Sequence, residues 1–435
     1  MRLRPVHISL WLLVVLGPLL WAPGCSRPAY IGRRLAVRFD RDSVFSRAFS
    51  GLAVQDLESG RWLVEENADK WFTPASNTKV LTLITALHFL PDSLPGLWYV
   101  ARGDSLYFWG SGYPGFLDDR LPYDSVLYHF LSDNERELVF CGDNFRTTAL
   151  GTGWAWDDAT YRYSAERSPF PIYKNSIRIE YDASRRDIYV PVRAFRNQVR
   201  YEPDSLSLRA ERQGRELVLR GRAPMARVLE VPFGYSDSLM VHLLADTLHR
   251  PVHLARGCGT VPDTAQALAV IAADTVYAVM MQQSDNLMAE QLLLMAAHAR
   301  THVMHEDSII GYMRQFVLNT RDVRWVDGSG LSRYNKFTPR EMATWIAFLL
   351  KKYSPERMAR IFPQGGVKGT IKAHYPPYVF AKTGTMSGVH CLSGFMTTRR
   401  GRRVVFSFMH NNYLSSSRPY KKEMRRLLEW LWEKL

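Results

Sequence analysis

The period of the apolar positions changes several times along the chain. Gly51-Leu52-Ala53-Val54 and Arg61-Trp62-Leu63-Val64 flank a Glu58-Ser59-Gly60 turn, which predicts a hairpin. Val80, Leu83, Ile84, Leu87 and Leu90 then recur at helical spacing after Pro74, and Pro91 stops that helix. From there to about Thr264, strand-like runs such as Ser105–Trp109, Ser176–Tyr181 and Glu216–Leu219 are separated by Gly, Pro and Asp turns. Helical patterns return from Asp263, over Ala265–Met281 and Leu287–Ala299. Near the end, Tyr378–Thr385, Leu392–Thr397 and Arg403–Met409 read as successive strands. An amphipathic helix closes the chain, with Met424, Leu427, Leu428, Leu431 and Leu435 on one face. This order predicts an α+β fold: residues 35–97 and 265–435 form one domain, interrupted by an inserted region over 98–264 with a nested β subdomain at about 175–225.

Composition changes this picture little. At 435 residues the chain is long enough for two or three units, and 46% hydrophobic with 23% charged residues is the profile of a globular protein. The formal net charge of +14 would suit an anionic partner such as cell-wall polymer or a membrane surface, but a solvated basic surface is the favoured reading, because composition fixes no partner. Nucleic acid is not expected as a partner, and no cofactor or metal is.

The N-terminus is more specific. Basic Met1-Arg2-Leu3-Arg4, apolar Ile8 to Leu20 and small Ala22-Pro23-Gly24-Cys25 form an export signal, assigned to residues 1–25. The cysteine after Gly24 resembles a bacterial lipobox, with Ala22 where Leu is usual, so Cys25 is the expected lipidation site. The expected location is the periplasm or cell envelope, attached as a lipoprotein. No later stretch is long and apolar enough to span a bilayer, since Asp274 interrupts the run from Ala265 to Met281. Cys141, Cys258 and Cys391 remain. With three cysteines and no C-x-x-C, one pair can form after export, and the sequence leaves open which.

Three short strings carry the candidate chemistry: Ser76-Asn77-Thr78-Lys79, Ser284-Asp285-Asn286 and Lys382-Thr383-Gly384-Thr385. If Ser76 opens the helix, Lys79 lies one turn on, on the same face, where its amine can activate the hydroxyl as a nucleophile. A lysine serves as base only when desolvated or beside another cation, a role open to Lys382. Ser284 and Asn286, between two helices, can add a proton relay and an amide contact. The strand with Thr383, Gly384 and Thr385 offers an edge for an extended peptide, with threonines suited to a terminal carboxylate.

In this order the strings are the S-x-x-K, S-D-N and K-T-G signatures of serine enzymes that act on penicillin and D-alanyl peptides. The chain resembles the low-molecular-mass, class C penicillin-binding proteins of the D-alanyl-D-alanine carboxypeptidase/endopeptidase family, which carry a large insert after the nucleophile. The long gap between Lys79 and Ser284 matches that family. So do Thr73-Pro74-Ala75, Gly110-Ser111-Gly112, Gly153-Trp154-Ala155-Trp156-Asp157-Asp158, Asp327-Gly328-Ser329-Gly330-Leu331-Ser332-Arg333, Gly369-Thr370 and Ser393-Gly394. Tyr113 departs from the pattern where an acidic residue is common.

The resemblance implies a penicillin-recognising, β-lactamase-like core and a serine DD-peptidase of peptidoglycan. It implies peptidoglycan stem peptides as substrates and β-lactams as covalent inhibitors. Ser76, Lys79, Ser284, Asn286 and Lys382 are then catalytic, and Thr383, Gly384 and Thr385 bind substrate. Asp158 and Arg333 would line a pocket for the third residue of the stem peptide. Met386 packs either against that side chain or in the core.

A β-lactamase or esterase on the same core, or an idle cell-wall-binding lipoprotein, are the competing readings. His298, His302 and His305 have spacing that could hold a metal, but lack the H-E-x-x-H order and are expected at a solvated helix end.

Overall fold

Apolar residues every fourth position give a helix one face to bury, and α1 (Arg27–Asp40) buries Ile31, Leu35 and Phe39. Each such side chain contributes roughly 1.5–3 kcal/mol on leaving water. The computed structural model describes residues 27–435 apart from 123–124, 214–215, 321 and 415. The leader and Cys25 lie outside the described residues.

After α1, β1 (Phe49–Asp56) and β2 (Trp62–Glu66) pair antiparallel as the expected hairpin. A short 3₁₀ turn over Ala75–Thr78 leads into α2 (Lys79–Phe89), whose residues Lys79 to Ala86 are all buried. The chain then builds β3 (Ser93–Arg102), β4 (Ser105–Gly110), α3 (Ser125–Ser132) and β5 (Glu137–Cys141). Six further strands are β6 (Ser176–Asp182), β7 (Asp187–Tyr189), β8 (Val199–Ser207), β9 (Arg209–Gln213), β10 (Glu216–Arg222) and β11 (Arg227–Pro232). α4 (Asp237–Leu248), β12 (Val252–Ala255) and β13 (Gln266–Ala272) follow.

The helices α5 (Ala273–Gln283), α6 (Asn286–Thr301), α7 (Glu306–Tyr312), α8 (Pro339–Lys352) and α9 (Pro355–Ile361) come next. The strands β14 (Val379–Met386), β15 (Val389–Thr397) and β16 (Arg403–Asn411), and then α10 (Arg418–Lys434), complete the order.

Among the described residues the strands form four sheets. Two have five strands, in the orders β14-β15-β16-β1-β2 and β12-β5-β4-β3-β13; two have three, β11-β6-β7 and β8-β10-β9. The first sheet is covered on one face by α1 and α10 and on the other by α2, α6 and α8. β1 shows the alternation this needs, with Leu52 and Val54 in one core and Ala53 in the other. α6 is buried without a break from Leu287 to His298, so it has no solvent face and runs through the middle of the molecule.

Several expectations change. Ala265–Met281 is not one helix: Gln266–Ala272 is β13, paired antiparallel with β3, and α5 begins at Ala273. An alanine-rich run with Leu268, Val270 and Ile271 suits either state, and a free sheet edge decides it. The second five-stranded sheet therefore runs from Ser93 to Ala272, a few residues beyond the expected 98–264. His298 is not solvated but buried, with its ring centroid 5.5 Å from that of Trp98, and burial pushes its pKa down to about 4. His302 is the left-handed cap of α6 and His305 precedes α7, so the three do not share a helix face. Cys141 and Cys258 form a disulfide, while Cys391 stays a buried thiol. Tyr113 is buried in the core.

Candidate active site

Ser76 sits in the 3₁₀ turn that β14 presses against from the sheet edge. A Cβ on Gly384 would lie 2.3 Å from the Pro74 carbonyl oxygen and 3.0 Å from the amide nitrogens of Ser76 and Asn77, so only glycine lets this strand approach the turn. Asn77 donates through Nδ2 to Ser393 Oγ at 2.8 Å, and the Thr73 amide donates to Asn411 Oδ1 at 2.7 Å. These bonds clamp the nucleophile loop to β15 and β16.

Lys79, one turn on, is fully buried. Its Nζ reaches Ser76 Oγ at 3.1 Å, and Asn286 Oδ1 and the Ser329 carbonyl oxygen at 2.7 Å each. Burial pushes its pKa down to about 8, against the opposing pull of Asp285, Asp327 and Glu290. Once the amine is neutral, its two N–H bonds can go to Asn286 and Ser329, leaving the lone pair for the Ser76 hydroxyl. The arrangement can therefore take a proton from Ser76 without moving a side chain.

Lys382 Nζ donates to Ser284 Oγ at 2.7 Å and to the Thr383 carbonyl at 2.9 Å. Burial holds its pKa well below the ordinary lysine value, and the charge on Lys79 acts in the same direction. Ser284 caps α5 in the left-handed region, at φ +59°. A non-glycine residue there costs on the order of 1–2 kcal/mol, and here it turns the hydroxyl towards Lys382.

Asp285 caps α6 by accepting the Met288 amide at 2.7 Å and is ion-paired with Arg120. Burial would raise its pKa, but Arg120 and the amide hold it below the usual range. Thr383 and Thr370 share a hydroxyl bond of 2.8 Å, and Thr385 Oγ1 lies 2.9 Å from His390 Nδ1.

A cleft of about 800 Å³ opens over these groups. Its walls include Ser76, Ser284, Asn286 and Thr385 together with Asp158, Arg333 and Met386. The structure thus brings the sequence-derived candidates to one place, with Lys79, Lys382 and Gly384 buried beneath the cleft floor. Asp158 accepts a hydrogen bond from the Tyr163 hydroxyl at 2.7 Å. Neither Asp158 nor Arg333 has an ion pair to another described residue.

A buried charged array behind the lysine was not foreseen. Asp327 accepts four bonds: Gly330 N and Asn335 Nδ2 at 2.8 Å, Ser332 N at 2.6 Å, and Trp154 Nε1 at 3.0 Å. It thereby ties the loop that carries Arg333 to a wall residue of the cleft. Glu290 accepts the Ser329 amide at 2.7 Å, one peptide unit from the carbonyl that holds Lys79. Burial raises its pKa to about 7, with Asp327 adding and Arg167 opposing. Arg167, also fully buried, lies 3.6 Å from Glu290 and 2.9 Å from Glu306. The four-residue step from Asn286 to Glu290 places both on one helix face, the one local signal for this array.

The profile of the D-Ala-D-Ala carboxypeptidase 3 (S13) family matches residues 34–94 and 135–433. The D-alanyl-D-alanine carboxypeptidase DacB of Haemophilus influenzae is 24% identical over 433 residues, covering 87% of this chain and 89% of that protein. The D-alanyl-D-alanine carboxypeptidase of Actinomadura sp. strain R39 is 24% identical over 436 residues, covering 86% of this chain and 79% of that protein. Among solved structures, penicillin binding protein 4 of Haemophilus influenzae aligns with a TM-score of 0.75 at 21% identity, over 92% of this chain and 99% of that one. A second structure of that protein, in complex with a β-lactam, aligns with a TM-score of 0.69. These last two likenesses concern the fold.

Proposed function

We infer the mechanism from one premise: the chain belongs to the D-Ala-D-Ala carboxypeptidase 3 (S13) family and is a serine D-alanyl-D-alanine carboxypeptidase of peptidoglycan. Its place of work is the cell envelope, where that polymer lies. In our reading Ser76 Oγ attacks the carbonyl of the penultimate D-Ala while Lys79 takes the hydroxyl proton. The oxyanion is held by the amide N–H groups of Ser76 and Thr385. The amide bond then breaks, and the proton passes through Ser284, which Lys382 orients, to the nitrogen of the departing D-Ala. Water hydrolyses the acyl-enzyme by the reverse path.

The observation that supports this most is the amine of Lys79, 3.1 Å from Ser76 Oγ and held from two other sides. A β-lactam mimics the scissile peptide and keeps its leaving group attached, so the same step would trap it on Ser76. Product analysis on isolated muropeptides tests the reading. D-Ala should appear from monomeric pentapeptides, and cleavage of cross-linked dimers would add endopeptidase action. Release of neither product would refute it.

The pKa of Lys79 sets a pH dependence. The base form is the neutral amine, so acylation by a β-lactam should rise with pH through about 8 and level off above it. A stopped-flow profile flat from pH 6 to about 9 would mean that no base titrating near 8 limits acylation, which would remove Lys79 from that role.

We also read Asp158 and Arg333 as an anion and cation flanking the third residue of the stem peptide, with Met386 against its methylenes. An amino-carboxyl side chain such as diaminopimelate needs that pairing. Asp158→Ala and Arg333→Ala should each lower kcat/KM about 10–100-fold for diaminopimelyl peptides and much less for peptides with a plain side chain. Equal losses on both substrates would assign the pair to structure instead. Attachment to the membrane through an acylated Cys25 completes the reading, supported by the lipobox-like Ala22-Pro23-Gly24-Cys25.

A further inference from the structure

We propose that the outward face of α1 is a lipid-docking surface that lies on anionic phospholipid headgroups; the proposal rests on the reading of Cys25 as the acylated residue. Only Ser26 separates Cys25 from the first residue of α1. Two residues span at most about 7 Å, so an acyl anchor at Cys25 brings this helix to the membrane surface without a linker.

The helix cannot swing away to adapt. Ile31, Leu35 and Phe39 are locked in one core with α10 and the first sheet. A Cβ on Gly32 would lie 2.0 Å from the Leu63 carbonyl oxygen, so α1 rests backbone to backbone on β2.

The opposite face has the composition of an interfacial helix. Tyr30 and Val37 are 54% and 48% exposed, two turns apart. Arg33 and Arg34 are exposed within that face and Arg41 just past its end, and none of the three has an ion pair among the described residues. Asp40 is the sole acid of the helix. The Arg34 guanidinium lies 5.9 Å from the centre of the Tyr30 ring, and Arg38, on the flank, stacks over Trp430 at 5.0 Å. An aromatic and an aliphatic side chain rimmed by arginines fit the boundary between acyl chains and anionic headgroups. The apolar part is far smaller than a stable protein–protein interface, which buries roughly 1,200–2,000 Å², so a charged lipid surface is the partner that the patch fits.

The position of α1 also sets the enzyme's posture. It packs on β2, one edge of the first sheet, whereas β14 with the Lys382–Thr385 string is the other edge. Four strand spacings of about 4.8 Å put the two edges roughly 19 Å apart, so the cleft edge is displaced along the sheet from the docked helix.

The test uses residues 26–435, which contain every element and both cores described above, exported under an unrelated cleavable signal so that no lipid is attached. This protein should co-sediment with phosphatidylglycerol vesicles, not with phosphatidylcholine vesicles, and should be released by about 0.5 M salt. Each arginine near an anionic surface is worth roughly fivefold in partitioning, so Arg33→Gln/Arg34→Gln/Arg41→Gln should lower binding on the order of a hundredfold.

A control triple on the β-rich region, Arg185→Gln/Arg186→Gln/Arg193→Gln, removes the same charge and should change binding little. Penicillin labelling of every variant reports that the fold is intact. No preference for phosphatidylglycerol, or equal losses in the two triples, would overturn the proposal. The anchor is tested separately by the mass of the mature N-terminal peptide from the native host. An unmodified Cys25 there would refute the acylation reading and leave the vesicle result to stand or fall by itself.

Discussion

Alanine at position 76 should abolish the penicilloyl adduct and bring D-Ala release down to background, a loss on the order of 10⁴–10⁶ in kcat. The expectation rests on the lack of a substitute. Ser284 is the other serine hydroxyl on the cleft floor with a lysine partner, but Lys382 donates to its oxygen at 2.7 Å. A hydroxyl held in this way is set to pass a proton rather than to attack. The Thr385 hydroxyl is engaged with His390. Mass mapping after incubation with a labelled penicillin checks this: wild type should carry one adduct on the peptide containing Ser76, and Ser76→Ala none. An adduct that persists on another residue would remove Ser76 from the mechanism.

Lys79→Ala should slow acylation by about 10²–10⁴, the usual range for loss of a general base. It also strips the donor from two acceptors, Asn286 Oδ1 and the Ser329 carbonyl, so a fall in stability of about 1–3 kcal/mol is expected with it. The two effects can be separated with Lys79→Arg, which keeps donors near both acceptors but never offers a lone pair at workable pH. Both variants should lose acylation, whereas melting temperature should recover partly in the arginine variant. Acylation restored by arginine would show that Lys79 positions Ser76 without taking its proton.

Much of this architecture was legible where the signal is local. The hairpin of β1 and β2 follows from two alternating runs around Glu58-Ser59-Gly60, and α10 follows from its apolar stripe. The three motif strings could be found because each is contiguous, and the fold brings them around one cleft. α8 carried an unused signal, the capping box in which Thr338 Oγ1 accepts the Glu341 amide at 3.1 Å, with Pro339 at its start.

What stayed hidden is long-range or ambiguous in period. β13 hides in an alanine-rich run that only the edge of β3 turns into a strand. Arg167, Glu290 and Glu306 meet across more than a hundred residues of chain, and nothing near Arg167 marks it as a buried cation. The choice of Cys141 and Cys258 as the disulfide pair depends on the parallel pairing of β12 with β5, a contact that no spacing rule gives.

The pairing of β3 with β13 has an evolutionary consequence. Ser93 and Ala272 are partners in that pair, so the chain leaves towards the β-rich half and comes back at neighbouring positions. A short turn could bridge the two points, and α2, α5 and α6 lie outside the excursion, tied to it through Arg120 on Asp285 and Arg167 on Glu290. Ser76, Lys79, Ser284 and Lys382 all lie outside the excursion, whereas Trp154, Asp158 and Tyr163, which line the cleft, lie within it. Selection can therefore alter the cleft wall at Trp154, Asp158 and Tyr163 by editing one segment while the groups around Ser76 and the lysines, and the opposite wall at Arg333 and Met386, stay constant. A lineage whose wall chemistry changes should carry its substitutions between these two strands far more often than around the lysines.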